Sequence, residues 1–370
     1  MIKLKLFSFL ISFLIGFNVV NAKEPNNKRQ ESEIIFGPEW TFSNKTLLFK
    51  EPKSNEPFLS KVANVIRLKF SDGPQAVTIT PSQTGGFRVT AADGVWFEVG
   101  YDAGVLEVQS MPLSLNQWRI RAEFVQSLIF DSMKEAGFQP HEIEGAGHIN
   151  IGLSYFRDKP GLAKNFLLDY LNHPGVGIAL NAEQSNDRDA KSVYQYLDDN
   201  GFLGTNDALQ FLKEVENIEM DTLIPKVAKS NRGFISYIRG KAVAIGLRGY
   251  RIKQISGIEY YELLGEYSRF EMRQVRPQES FGSFLKVLEI FKARIEFLEK
   301  SGRVIKLNVP RKITDGWEVL GQFADYVEET GLSLKNYREL LPKVWRKLPE
   351  AHFIRNKALV KPIKSCKSLI

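Results

Sequence analysis

EGAGHINIG, residues 144–152, sets His148 and Asn150 on one face of an apolar strand, while Ile149, Ile151 and the following Leu153 take the other. Period-two alternation aims successive side chains at opposite sides of a sheet, so one side packs against helices and the other is free for chemistry. Three further stretches follow the same pattern. In IIFGPEWTF, residues 34–42, Phe36, Trp40 and Phe42 alternate with Glu39 and Thr41. In YDAGVLEVQSMPL, residues 101–113, Leu106 and Val108 flank Glu107, which shares its side with Val105 and Gln109. In YSRFEMRQV, residues 267–275, Arg269, Glu271 and Arg273 alternate with Phe270 and Met272. If these four strands share a sheet, its open face carries glutamates, arginines, a histidine and an asparagine. That composition suits a metal and phosphate site.

The order and wording of the segments resemble the carboxylate-amine ligase superfamily, which includes glutamine synthetase, glutamate-cysteine ligase and the amidoligases. GPEWTF resembles the family's opening x-Glu-x-Glu strand, with Glu39 present and Thr41 where a second carboxylate often stands. DAGVLEVQSMP resembles its Asp-x-Gly-x-x-Glu strand, GAGHINI its glycine-rich strand ending in His-x-His or His-x-Asn, and RFEMR its Arg-x-Glu-x-Arg strand. The motifs span roughly residues 34–300. The resemblance implies an α+β fold: a curved, mainly antiparallel sheet with helices on one face and the site on the other. It implies Glu39, Glu107 and Glu271 as metal ligands, with His148 as a further ligand or phosphate contact. Arg273 and Arg269 join His148 as the catalytic groups, and Asn150, Asp102, Lys241 and Arg248 as substrate contacts. The cofactors implied are ATP and Mg2+ or Mn2+.

The residue types suit that chemistry without the name. Joining a carboxylate to an amine in water requires activation, because hydroxide is a poor leaving group; phosphorylation to an acyl phosphate supplies it. Divalent ions bridge the phosphate oxygens and absorb developing charge. Such ions prefer oxygen ligands, and manganese accepts imidazole more readily than magnesium does. Arginine grips phosphate or carboxylate with a planar fork.

Each element also has a plain structural reading. Glu39 alone is an ordinary solvated strand residue. Arg269, Glu271 and Arg273 alone form a cross-strand charge ladder, and His148 alone is a half-buried histidine near glycines. The conjunction of four strands with matching parity favours the site. Glu98, in GVWFEVG, is a weaker ligand candidate, and RGKAVAIGLRGYR, residues 239–251, offers Lys241, Arg248 and Arg251 around an apolar run. His141, His173 and His352 lack metal-ligand spacing. There is no P-loop and no dinucleotide fingerprint, since the alternation of GAGHIN continues as a strand.

With 43% hydrophobic and 12% aromatic residues, the chain of 370 residues is not a disordered one. Strands are expected at about 34–42 and 63–110, then a helix at 115–136 with Ile120, Phe124, Leu128 and Met133 inward and Gly137 as its stop. The middle, 160–230, reads as mainly helical, with an Asn/Asp-rich surface excursion at 181–189. A further helix starts near Ser280, carries Phe284, Leu288, Phe291, Ile295 and Leu298, and stops at Gly302. Residues 23–302 are thus expected to form the amidoligase-like domain, and 303–370 a helical extension with a basic tail. From Arg338 onward nine Lys or Arg stand against Glu339 and Glu350, a surplus equal to the net charge of +7. Such a tail can contact an anionic surface, but it lacks the aromatic interleaving of a nucleic-acid site.

Lys3 and Lys5 precede an apolar run ending at Val20-Asn21-Ala22, the pattern of a secretory signal peptide over residues 1–22. The run is short for a membrane span. Cys366 is the only cysteine, so no intramolecular disulfide forms. These features predict an exported bacterial protein with no transmembrane helix after signal cleavage. Export separates a ligase from ATP. Three resolutions stand open: the enzyme acts where ATP exists, on small-molecule, peptide or cell-wall substrates; the fold is kept to bind an amino-acid-like or anionic ligand with catalysis lost, as Thr41 suggests; or the extension does not route the protein out.

Overall fold

A computed structural model of the protein describes residues 33–346 apart from 48–55, 84, 103, 141–146, 182–190, 217–233, 240–242, 256–257, 264–267, 309, 311, 314–315 and 342. The predicted export segment, Lys241, His141, His352, most of the Asn/Asp-rich excursion and most of the basic tail lie outside the described residues.

The strands are β1 (Ile35–Ser43), β2 (Val77–Pro81), β3 (Phe87–Ala91), β4 (Trp96–Asp102), β5 (Val105–Ser110), β6 (Leu113–Ser114), β7 (Gln139–Pro140), β8 (His148–Gly152), β9 (Ile245–Arg248), β10 (Tyr250–Ile255), β11 (Ile258–Leu263) and β12 (Arg269–Met272). The helices are α1 (Glu56–Lys69), α2 (Leu115–Ile120), α3 (Ala122–Val125), α4 (Ser132–Glu135), α5 (Pro160–Asn172), α6 (Pro174–Asn181), α7 (Val193–Asp199), α8 (Asn206–Glu216), α9 (Phe234–Arg239), α10 (Phe281–Ser301), α11 (Gly316–Glu328) and α12 (Lys343–Arg346). All strands but β10 and β11 join one open antiparallel sheet in the order β2-β3-β4-β5-β1-β8-β12-β9, with β6 and β7 also pairing with β1. The fold class is α+β, as expected. The four motif strands are consecutive neighbours at its centre, in the order β5-β1-β8-β12.

One sheet face packs on the helices. Phe36, Trp40 and Phe42 of β1, Ile149 and Ile151 of β8, and Phe270 and Met272 of β12 are all buried. Trp40 meets Trp118, Phe130, Phe281 and Phe284 with ring centroids 5.5–6.3 Å apart, edge-on geometry that aromatic quadrupoles favour. The Trp118 indole N–H donates to the Phe36 carbonyl at 3.0 Å, pinning α2 to the central strand. Helix α10 begins where the Ser280 hydroxyl accepts from the Ser283 N–H and ends at Gly302, whose φ of 59° a side chain would resist.

Two expectations are corrected. Residues 63–69 are not strand: Leu59, Val62 and Ile66 recur at helical spacing and bury one face of α1. The expected single helix over 115–136 is instead α2, α3, a π-helical turn at Gln126–Asp131 and α4. A break at Arg121 and the wider π turn rotate the stripe, so Leu115, Trp118, Val125, Leu128, Ile129 and Met133 face inward while Ile120 is 82% exposed.

The helices after residue 303 pack into the same core. Leu320, Phe323 and Val327 of α11 are fully buried, and Arg294 of α10 pairs with Glu329 at 2.8 Å. Among the described residues no helix is long and apolar enough to cross a membrane.

Candidate metal and anion site

Strand register builds the site. Glu39 of β1 stands opposite His148 of β8, Gly37 opposite Asn150, and Asn150 opposite Glu271 of β12. Arg269 stands opposite Arg248 of β9, and Glu271 opposite Gly246. Because parity repeats across every pairing, these side chains share the face turned away from the Trp40 aromatic cluster.

Glu39 is buried and bonded on both oxygens. His148 Nδ1–H donates to Oε2 at 2.9 Å, and Asn150 Nδ2 donates to Oε1 at 2.8 Å. Burial pushes the Glu39 carboxyl up, but the hydrogen bond and charge of His148, the Asn150 amide and the Arg269 charge outweigh it and hold the group below the usual carboxylate range. Asn150 also donates to the Gly37 carbonyl at 3.0 Å, and its Oδ1 accepts from Arg269 Nε at 2.8 Å. Arg269, Asn150, Glu39 and His148 therefore form one continuous chain of hydrogen bonds.

Glu271 is held by charge. Its Oε2 lies 2.7 Å from Arg248 Nε and 3.2 Å from Arg273 Nη1. Neither approach is aligned as a hydrogen bond, so this buried oxygen keeps an unsatisfied lone pair. Its Oε1 lies 3.9 Å from His148 Nδ1.

Glu39, His148 and Glu271 each offer a ligand atom within 4.8 Å of the other two. An ion bound at about 2.0–2.2 Å from each donor spans ligand pairs of up to roughly 4.4 Å, so small side-chain rotations close the set on a divalent cation. Two carboxylates, one with an orphaned oxygen, plus an imidazole nitrogen fit Mn2+ or Mg2+.

Glu107 is not among the converging groups. It pairs with Thr41, one row beyond Glu39, and accepts from Gln109 Nε2 at 2.6 Å. Burial first, then the Glu39 charge, raise its carboxyl to about 6, with Asp102 adding a smaller push. Asp102 itself is exposed at the end of β4. Glu98 is engaged by Ser82 and by Arg88 at 2.8 Å, away from the converging set. His173 belongs to the helix layer, where its Nδ1–H donates to the Asp169 carbonyl at 2.7 Å.

One contributor, Gly246, escaped the sequence reading, and so did one property of Thr41. Gly246 faces Glu271, and a Cβ there would stand 2.7–2.8 Å from the Arg248 guanidinium, so glycine is what lets Arg248 fold back to the carboxylate. Thr41 Oγ1 is buried with no hydrogen-bond partner among the described residues. Parity marked Thr41 as facing the site, but an orphaned hydroxyl is visible only in three dimensions. No family model matches the chain, and no curated protein sequence matches it.

Proposed function

We propose that the protein is an ATP- and divalent-metal-dependent amidoligase, forming an amide between a carboxylate and an amine through an acyl phosphate. The observation that carries this reading is the convergence of Glu39, His148 and Glu271 beside Arg248, Arg269 and Arg273 on one sheet face. Glu39, His148 and Glu271 would hold the ion. When bound, the ion supplies charge neutralisation at the nucleotide phosphates. Arg273 and Arg248 present cationic groups at the same carboxylate, where a phosphoryl group needs them. Asn150, saturated by its own bonds, orients Glu39 and Arg269. The proposal includes export through residues 1–22 and action on small-molecule, peptide or cell-wall substrates, with the basic tail available to an anionic surface.

A second reading has one specific observation in its favour. Glu271 is flanked by two arginines and Glu39 is fully bonded, so the cluster is largely charge-balanced without a metal. It would then bind an amino-acid-like or anionic ligand, with catalysis lost. The test is release of ADP and phosphate from ATP by the purified protein with MgCl2 or MnCl2, offered amino acids and dipeptides together with ammonium. Turnover that depends on the acid and vanishes in Glu271→Ala supports the ligase. Absence of ATP binding in the presence of metal leaves the ligand-binding reading.

A further inference from the structure

Helix α5 carries two asparagines seven residues apart, and each uses both ends of its amide on the same stretch of main chain. Asn165 Nδ2 donates to the Arg303 carbonyl at 2.6 Å, and its Oδ1 accepts from the Ile305 N–H at 3.0 Å. Asn172 repeats the pattern three residues on, donating to the Lys306 carbonyl at 2.8 Å and accepting from the Asn308 N–H at 2.7 Å. A match of pitch explains the repeat. Seven helical residues rise about 10.5 Å, and three residues of extended chain cover about 10 Å. All four bonds go to backbone groups, so the asparagines read an extended main chain and not its side chains. Side-chain preference arises beside them: Ile305 and Leu307 pack partly against the core, and the Arg303 guanidinium lies 5.1 Å over the Phe297 ring, while Val304 is 84% exposed.

We propose that this edge of α5 is a recognition site for an extended peptide, which residues 303–308 fill in cis as a displaceable strap. The occupant is a stretch of unpaired main chain with the order cation-x-aliphatic-x-aliphatic, the order of Arg303, Ile305 and Leu307. Each asparagine amide satisfies one N–H and one C=O, groups that an extended chain offers and a helix has already bonded. The strap is suited to leave. Arg303, Val304, Lys306 and Asn308 are exposed, and three of the four asparagine bonds lie at the surface. Undocking therefore uncovers little apolar area, and water replaces the bonds at small net cost. Phe166 of α5 packs on Phe270, whose neighbours Arg269 and Glu271 point to the other side of the sheet. The peptide site is thus separate from the metal set and stands whether or not the ligase reading does.

The experiment is fluorescence anisotropy of a dye-labelled synthetic peptide with the sequence of residues 303–308, titrated with the full chain. In the wild type the strap competes at high effective concentration, so binding should be weak. Ile305→Gly with Leu307→Gly removes the strap's apolar anchors and should tighten binding about tenfold or more. Asn308→Pro, which deletes one bonded N–H, should act in the same direction. Adding Asn165→Ala and Asn172→Ala to either background should abolish binding. N-methylation of the peptide at its isoleucine and its asparagine should do the same, since it removes the donors, while exchange of its lysine for alanine should leave affinity unchanged. Folded loosened variants that bind no peptide, or binding indifferent to N-methylation or to the two asparagines, overturn the proposal. So does unfolding of both loosened variants by circular dichroism, which would make the strap a fixed part of the core.

Discussion

Glu39 and His148 are register partners on adjacent strands and meet at 2.9 Å, the imidazole N–H on the carboxylate. The same nitrogen lies 3.9 Å from Glu271 Oε1. A metal ion and a proton compete for that nitrogen. Mn2+ affinity should therefore fall as pH is lowered, with proton release detectable by calorimetry in buffers of different ionisation enthalpy. His148→Ala should reduce affinity about a hundredfold or more, since even outer-shell losses cost 10–100-fold. Affinity that survives this change would show that the ion sits elsewhere.

Arg294 and Asp169 join α10 to α5 through bonds of 2.7 and 2.8 Å, each side chain 2% exposed. Arg294 also stacks 4.4 Å over the Tyr326 ring of α11. Arg294→Met removes one partner and strands the other, so it should cost about 3–5 kcal/mol, read as a lower urea midpoint. Adding Asp169→Leu should recover part of that loss. A single variant as stable as wild type would refute the assignment.

Glu39 and Glu107 should tilt stability in opposite directions with pH. The Glu39 carboxyl is held low, so its contribution is present above the ordinary value of 4.5 and disappears as pH falls through its depressed folded value. Glu107 is raised from 4.5 to about 6, so the folded protein binds more protons in that window and loses stability as pH rises through it. Glu107→Gln should stabilise the protein by about 1–2 kcal/mol at pH ~8 and by nothing at pH ~4. Chemical denaturation at the two pH values measures the difference.

Glycine substitutions should separate stability from binding. At Gly86 a Cβ would meet the Val99 carbonyl oxygen at 1.9 Å, a rigid clash, and Gly86→Ala should cost about 1–3 kcal/mol without affecting Mn2+ affinity. At Gly246 the clash is with the mobile end of Arg248. Gly246→Ala should be milder in denaturation and should weaken phosphate or ADP binding by displacing Arg248 from Glu271. Equal effects of both variants on both measurements would remove the proposed role of Gly246.

Much of the fold was legible locally. Ser280 and Gly302 bracket α10 because a hydroxyl caps the first turn and a left-handed residue ends the last. Alternation in β1, β5, β8 and β12 gave each side chain its face. Errors arose where two periodicities compete over a short stretch, as at 63–69, or where a break shifts the phase, as at Arg121 before α3.

The sequence by itself determined which side of the sheet each glutamate, arginine and histidine occupies, because a strand's period of two is fixed by backbone geometry. Only the tertiary structure decided which of them meet. Glu107 lies on the predicted face, yet it pairs with Thr41, two residues along β1 from Glu39, and a step of two residues on a strand is about 6.6–6.8 Å. That distance separates a member of the converging set from its neighbour. Register is set by packing Trp40, Ile149 and Phe270 against the helices, contacts between segments far apart in the sequence that no local pattern encodes.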